Sequence, residues 1–566
     1  MKRFTALHWF IYPLFLMCCA KTTSPTGGPK DTIPPILIKS IPEKESLNYD
    51  GKEIQLIFSE DITLKNQKEQ IIVTPDVGKD YKIEFNKKTV TLKLAEKLKD
   101  STTYTFSFRD AIVDLNEQNP AKNLKLAFST GNYIDSLSIE GKVTDLLTSK
   151  EFKDITVALF QADTFDIFKH KAVYITKSDK SGKYLIENLK PGNYYIYATD
   201  DKSRNLIVDS KSESYGFLKD SLVLISNLDN VDIPVIKLDA RKLKISSARP
   251  YNTYFNIKTT KSIVSYKIKS EEVIPYSTLG DDNASIKIYN TLFEKDSASI
   301  KLNLTDSIGN SIDTLLYIKF SKQNTKPEKF DFDTRDFRII ENKGLITGSL
   351  KFNKPIFQIN FDSILYKIDS LKIIKFDKQD LTIDTLKGVA YIEKKIDKAL
   401  LVKELKTNTK PNAPEPIKAS LKENLPPPKQ VIENQLFIGK GSFISIESDS
   451  IKEIKETIKL TKLDETGIIF VTVETKEPNF IVELLKKDFT LVQTKYNESK
   501  IAFEDLPPGD YVIRLIIDRD KNKKWTPGNY FLHQEPEKAI FYKNEKLNLI
   551  TNLRANFEIG PLLIKY

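Results

Sequence analysis

From residue 36 onward the dominant pattern along the chain is an alternation of apolar and polar residues. Lys82-Ile83-Glu84-Phe85, Thr89-Val90-Thr91-Leu92-Lys93-Leu94 and Thr103-Tyr104-Thr105-Phe106-Ser107-Phe108 are examples, rich in β-branched and aromatic side chains. Successive side chains of a strand point to opposite faces, so a period of two predicts half-buried antiparallel strands. Asn, Asp, Gly and Pro interrupt the pattern at the short intervals expected of sandwich turns. Helical spacing is rare. Ile392, Ile396 and Leu400 recur at i, i+4 and i+8, and Ile451, Ile454 and Ile458 at i, i+3 and i+7. Each of these stretches reads either as one short helix or as a strand. The pattern predicts an all-β chain of tandem sandwiches.

Length and composition fit that picture. At 566 residues the chain holds about three to six domains. Its 40% apolar and 29% charged residues exclude both wholesale disorder and a multi-span membrane protein.

The most distinctive unit spans 32–131. It opens on Asp31-Thr32-Ile33-Pro34-Pro35, continues through Ile54-Gln55-Leu56-Ile57-Phe58-Ser59-Glu60-Asp61-Ile62 and Leu98-Lys99-Asp100-Ser101-Thr102-Thr103-Tyr104, and closes on Ala127-Phe128-Ser129-Thr130. These motifs, in this order, resemble the bacterial Ig-like domain of the SbsA type. Phe58, Tyr104, Phe106 and Phe128 fall at inward positions, and Asp114-Leu115-Asn116 reads as a turn whose side chains bond their own backbone.

An internal repeat follows. Glu187-Asn188-Leu189-Lys190-Pro191-Gly192-Asn193-Tyr194 returns as Glu504-Asp505-Leu506-Pro507-Pro508-Gly509-Asp510-Tyr511, and Glu140-Gly141-Lys142 corresponds loosely to Thr466-Gly467-Ile468. The repeat resembles the prealbumin-like sandwich of carboxypeptidase-regulatory and Cna B-type modules, with modules expected at 137–238 and 435–566. Pro presets φ and Gly takes the positive-φ place, which is turn chemistry. Weaker strand rhythm predicts further sandwiches at 239–325 and 326–403. Residues 404–434, with Pro426-Pro427-Pro428, read as a linker or an exposed insertion.

The N-terminus reads as an address. Lys2 and Arg3 precede an apolar run, Leu7 to Met17, too short to span a bilayer but suited to a signal peptide over 1–18. Leu16-Met17-Cys18-Cys19-Ala20 resembles the bacterial lipobox, with Cys19 the best-placed lipidation site and 19–31 a Thr/Pro/Gly-rich tether. Together, lipobox, tether, SbsA-type domain and prealbumin-like modules resemble the Ig-like-domain lipoproteins of Bacteroidota. The resemblance implies outer-membrane anchoring through an N-terminal lipid, in either leaflet, and protein partners in the envelope.

Candidate chemistry is sparse. The charge is +10 from 87 Lys+Arg against 77 Asp+Glu, with both signs interleaved. About ten of the basic residues are Arg, so bidentate phosphate recognition is poorly supplied and no nucleic-acid partner is expected. His170 and His533 lie in different modules. Adjacent acids such as Glu60-Asp61, Asp200-Asp201 and Glu271-Glu272 are expected by chance among 77 acidic residues. Neither a phosphate loop nor a nucleophile elbow is present, and no enzyme activity is expected. Asp518, Asp520 and Asn522 stand at positions 1, 3 and 5 of a candidate calcium loop, the only cofactor the sequence suggests. Lys523 replaces its turn Gly and Asn529 its final Glu, so a self-bonded hairpin loop competes with that reading; the repeat counterpart is Asp201, Ser203 and Asn205. Trp525 and Tyr530, beside this loop, are the candidate binding aromatics. Two functions are therefore expected: a non-enzymatic, lipid-anchored structural or protein-interaction scaffold, or a carbohydrate- or peptide-binding lipoprotein of an outer-membrane uptake or assembly system.

Overall fold

The computed structural model describes residues 30–77, 81–161, 165–270, 276–289, 297–320, 326–369, 372–401 and 434–566. The expected signal peptide over 1–18, Cys19 and most of the expected tether lie outside them. The chain divides into two compact units. One holds the residues up to 138 with 173–176 and 186–191; the other holds 139–172, 177–185 and 192–566. Among the described residues no helix is long and apolar enough to cross a membrane.

In the first unit, alternation sorts the side chains as the sequence predicts. Phe58, Tyr104, Phe106 and Phe128 are all buried in one core, where the Phe106 and Phe128 rings stack at 5.8 Å. Leu37–Ile41, Glu53–Phe58, Thr89–Lys93 and Lys82–Asn86 form one sheet, and Ile72–Thr74, Thr103–Ser107 and Lys125–Ser129 another. The Asp114 carboxylate closes its turn by accepting from the backbone N–H groups of Glu117, Gln118 and Asn119. Burial alone would raise its pKa; the three donors outweigh that and hold it below the usual carboxylate range.

The second unit contains the C-terminal repeat copy and most of the first, and the two copies share one topology. In the first, Leu137–Asp145 runs parallel to Ile233–Val235, while Thr156–Phe160, Gly192–Thr199 and Tyr215–Phe217 lie side by side in the larger sheet. In the second, Gly467–Glu474 runs parallel to Glu558–Lys565, and Phe480–Lys486, Gly509–Ile517 and Ala539–Phe541 lie in the same order. Even the register agrees: Leu159 faces Ile196 as Leu484 faces Ile513, and Tyr197 faces Phe217 as Arg514 faces Phe541. Gly141 and Gly467 are glycines for one reason. A Cβ there would stand 2.0 Å from the Val231 carbonyl oxygen or 2.6 Å from that of Phe557, just ahead of the parallel strand beside it.

The larger sheets depart from simple alternation. Every residue of Thr156–Phe160 is buried. In the second copy Phe480, Val482, Leu484, Ile513 and Leu515 fill the core, yet Ile481, Leu485, Val512 and Ile516 on the opposite face are also no more than 2% exposed. These sheets are covered on both sides.

Between the copies lie two sandwiches. The third, around Ile257, Ile286, Ile300, Leu302 and Leu304, encloses an ion pair: Lys261 Nζ stands 2.5 Å from Asp306 Oδ2, both side chains almost wholly buried. Lys261 Nζ also donates to the Asp239 carbonyl at 2.7 Å.

The fourth corrects the expected boundary at 435. Leu436, Ile438, Phe443, Ile451 and Ile458 share a core with Phe330, Phe352 and Tyr366, and Gln435–Ile438 pairs with Ile364–Lys367. Buried Lys354 reaches Glu447 at 2.6 Å and Asp449 at 3.0 Å, tying the two pieces by charge. The Pro-rich segment therefore interrupts a sandwich instead of joining two, and the C-terminal copy begins at Gly467, after Thr461 closes the fourth module. Both stretches of helical spacing belong to this module and are mainly extended, in Val389–Lys395 and Ile454–Thr457, with one 3-10 turn at Lys398–Leu400. Their spacing mimicked a helix because strand and turn each bring apolar residues to the same core.

One consequence is testable by cutting the chain at a protease site engineered between 402 and 433. The shared core predicts that the two fragments co-elute under native conditions and part only in denaturant; separation without denaturant would return the boundary to 435.

Candidate functional site

The candidate loop starts where Gly509–Ile517 ends. Asp518, buried at the strand terminus, turns its carboxylate back over the following residues and accepts from Asn522 N at 3.0 Å and Lys523 N at 3.1 Å. The same device closes the first copy, where Asp201 accepts from Asn205 N and Leu206 N. A second acid enters from across each loop. Buried Glu537 accepts from Arg519 N at 2.6 Å and Thr526 N at 2.9 Å. Buried Glu213 accepts from Ser203 N and Asp209 N.

The structure thus changes the expected ligand set. Asp518, Asp520 and Glu537 bring carboxylate oxygens within 4.8 Å of one another. The Asn522 oxygen instead accepts from Lys524 N, and its amide donates to Asp520 and Thr526. All six oxygens of the three carboxylates already accept hydrogen bonds from the loop itself. The arrangement is a self-bonded loop whose donors are backbone N–H groups together with the Asn522 amide and the Thr526 hydroxyl on Asp520. Burial raises the pKa of Glu537 despite those donors, and that of Asp201 likewise.

Trp525 and Tyr530, the candidate binding aromatics, are both engaged within the fold. Trp525 is half-buried and its indole N–H donates to the Glu537 carbonyl at 3.0 Å. Tyr530 opens the 3-10 turn Tyr530–Leu532, which Asn529 caps by accepting from Phe531 N. Its ring meets Phe168 and Phe217 of the first copy edge-on, at 5.2 and 5.1 Å. Its hydroxyl lies 3.4 Å from both Ile167 N and the Phe165 carbonyl. Around it Asn529 Nδ2 donates to the Ile308 carbonyl of the third sandwich, and Lys219 N donates to Glu535. A separate bond runs from Arg514 Nη1 to the Leu147 carbonyl at 2.6 Å. The loop 519–536, longer than its counterpart 202–212, is a latch joining three sandwiches.

A cavity of about 90 Å³ remains between Tyr530, His533 and the aromatic face formed by Phe160, Phe165, Tyr195 and Phe217. His170 accepts from Asp166 N and lies 5.7 Å from the Phe165 ring; His533 caps the 3-10 turn. Both are exposed, at the margin of this cluster. Of the adjacent acids, Asp200 is bonded to Ser214 N and to Lys202, and Glu271-Glu272 lies outside the described residues. Sequence reasoning missed Glu537 and Glu213. The available signal was an acid two residues before the same strand in both copies.

Residues 31–130 match the family model of the bacterial Ig-like domain. No curated protein matches the chain. Among solved structures, the Bacillus anthracis TIE protein is 10% identical, with 95% of this chain and 76% of that chain covered at a TM-score of 0.13. BcpA, the major pilin subunit of Bacillus cereus, is 12% identical, with 76% and 99% covered at 0.12. The S-layer protein rSbsC is 10% identical, with 91% and 68% covered at 0.16. The bacterial Ig-like match covers the first domain, and the strands described beyond it form further sheets.

The raised pKa of Glu537 has a sign. Between the unfolded carboxylate value and the higher folded value, the native loop keeps a proton that the unfolded chain has lost. Stability from this group is therefore fully present below that window, falls as pH rises through it, and is level above it. Glu537→Gln should remove this component, seen as a difference in the pH dependence of the melting temperature. Parallel profiles for wild type and variant would count against it.

Proposed function

We propose that this protein is a non-enzymatic scaffold of the cell envelope, anchored by a lipid on Cys19 and acting through shape and protein contact. The observation that carries the reading is the use made of the polar and aromatic groups in the candidate loop. Asp518, Glu537, Trp525, Asn529 and Tyr530 are engaged in closing the loop or holding sandwiches together. Groups committed to structural bonds are poorly placed to act on a substrate, whereas a latch that joins modules suits an element that holds distance and orientation. A carbohydrate- or peptide-binding role needs displayed aromatics, and this loop presents neither Trp525 nor Tyr530 in that way.

Anchoring rests on the lipobox resemblance and on the physics of acylation: each buried methylene contributes about 0.8 kcal/mol, so several chains on one Cys hold a protein at a membrane. Cys19→Ser should move the protein from the membrane pellet to the soluble fraction without altering its melting temperature. Retention in the pellet would contradict the anchor. In-cell cross-linking with mass spectrometry should then recover envelope proteins as neighbours; recovery of a bound glycan instead would favour the uptake reading.

A further inference from the structure

The third sandwich leaves one sheet with two edges of different construction. Its strands lie in the order Ile263–Lys269, Ser297–Asp306, Ser311–Lys319. The first edge is broken by a register shift between Ile263 and Ser265 and carries Lys267 and Lys269. The other, Ser311–Lys319, pairs with Ser297–Thr305 over nine residues without a shift and contains neither Pro nor Gly. A long regular edge is a template for pairing unless something blunts it.

The hairpin fixes which backbone groups that edge offers. Asp306 N donates to the Asn310 carbonyl at 3.0 Å, and Gly309, at φ +83°, donates to the Asp306 carbonyl. Asp306 Oδ1 locks the turn by accepting from Ile308 N and Asn310 N. Hydrogen-bonded pairs recur at every second residue of an antiparallel ladder. From Asp306/Asn310 they fall at Leu304/Ile312, Leu302/Thr314, Ile300/Leu316 and Ala298/Ile318. The N–H and C=O groups of Asp313, Leu315, Tyr317 and Lys319 therefore point away from the sheet. Among the described residues their one hydrogen bond is a 3.5 Å contact from the Thr314 hydroxyl to the Leu315 carbonyl. Leu315 and Tyr317 are 73% and 66% exposed, while Ile318 is fully buried.

We propose that a second copy of this chain pairs with this edge, antiparallel, about a two-fold axis at Leu316. The residue order is self-complementary in that register. Asp313 of one copy stands opposite Lys319 of the other and Leu315 opposite Tyr317, and the symmetry makes each pair twice. Pairing must join residues whose backbone groups face outward, so the register moves only in steps of two. One such step sets Asp313 on Tyr317 and Leu315 on itself; the opposite step sets Lys319 on Leu315. Only the Leu316 axis matches both charges. A strand from another protein would not account for an order complementary to itself. The inference rests on the third sandwich alone and is independent of the envelope anchor.

Sedimentation equilibrium on the full chain tests it. Wild type should reach a reversible dimer by roughly 0.1 mM, a weak-affinity range. Asp313→Lys and Lys319→Asp, each placing like charges opposite one another twice, should each weaken dimerisation about ten-fold. The double variant carrying both should restore it, which a folding defect could not do. A wild-type monomer throughout, or a dimer indifferent to all three variants, would overturn the proposal.

Discussion

A sheet with two apolar faces must be covered twice, and in this chain that requirement governs how the second unit is built. The larger sheets of the two repeat copies turn one face to their own cores and still bury Thr156, Ala158, Phe160, Ile481, Leu485, Val512 and Ile516. In the first copy the outer face is a cluster of aromatic rings, including Phe160, Tyr195 and Tyr197, over which the segment around Phe165 and Phe168 folds. Full burial of each large apolar side chain contributes about 1.5–3 kcal/mol, so leaving these faces in water would cost more than a small sandwich's net stability. Docking is then a condition of folding for these modules. It is more than an arrangement of finished beads.

The two copies show how one frame acquires such a contact. Strand order, register, parallel closing strand, crowded glycine and the Asp–Glu pair across the loop are common to both. What differs is the stretch between the acids. In the first copy 202–212 bonds Ile167 of its own module and the adjoining Ala240; in the second, 519–536 carries Asn529 and Tyr530 out to the neighbouring sandwiches. The buried acids serve that extension by holding the loop's backbone N–H groups, so that a 3-10 turn can project without leaving donors unpaired. The same economy of fixed turns appears at Asp114 and Asp306, where one carboxylate sets the geometry of a hairpin or turn and hence of the strands beyond it.

Much of this was legible in the sequence, and the losses have physical causes. Alternation identified the strands of the bacterial Ig-like domain and the inward set Phe58, Tyr104, Phe106 and Phe128. The Leu-x-Pro-Gly-x-Tyr turn revealed the repeat by its composition, but the positive φ expected at its Gly falls instead on Asn188 and Asp505, four residues earlier in each copy. Double-sided burial was also written in the chain, as the runs Ile155 to Phe160 and Tyr511 to Ile517, each apolar but for one residue (Thr156 and Arg514), which a strand with one wet face does not need. The boundary at 435 was lost because a Pro-rich insertion has the composition of a linker, and only three-dimensional pairing tells the two apart. The roles of Tyr530 and Glu537 were lost because each depends on residues hundreds of positions away or across a loop, where spacing carries no information.

The central claim is that the C-terminal copy stands on the first through Tyr530. Hydrogen exchange by mass spectrometry across 139–566 measures it directly, by comparing wild type with Tyr530→Ala. Removing a partly buried ring should cost about 2 kcal/mol, so exchange should rise about thirty-fold in the first copy's Phe165–Lys169 and Tyr215–Phe217 segments as well as in the loop itself. The third and fourth sandwich cores should be unchanged. Faster exchange confined to the loop, with the first copy untouched, would mean that the two modules stand independently and would contradict the account.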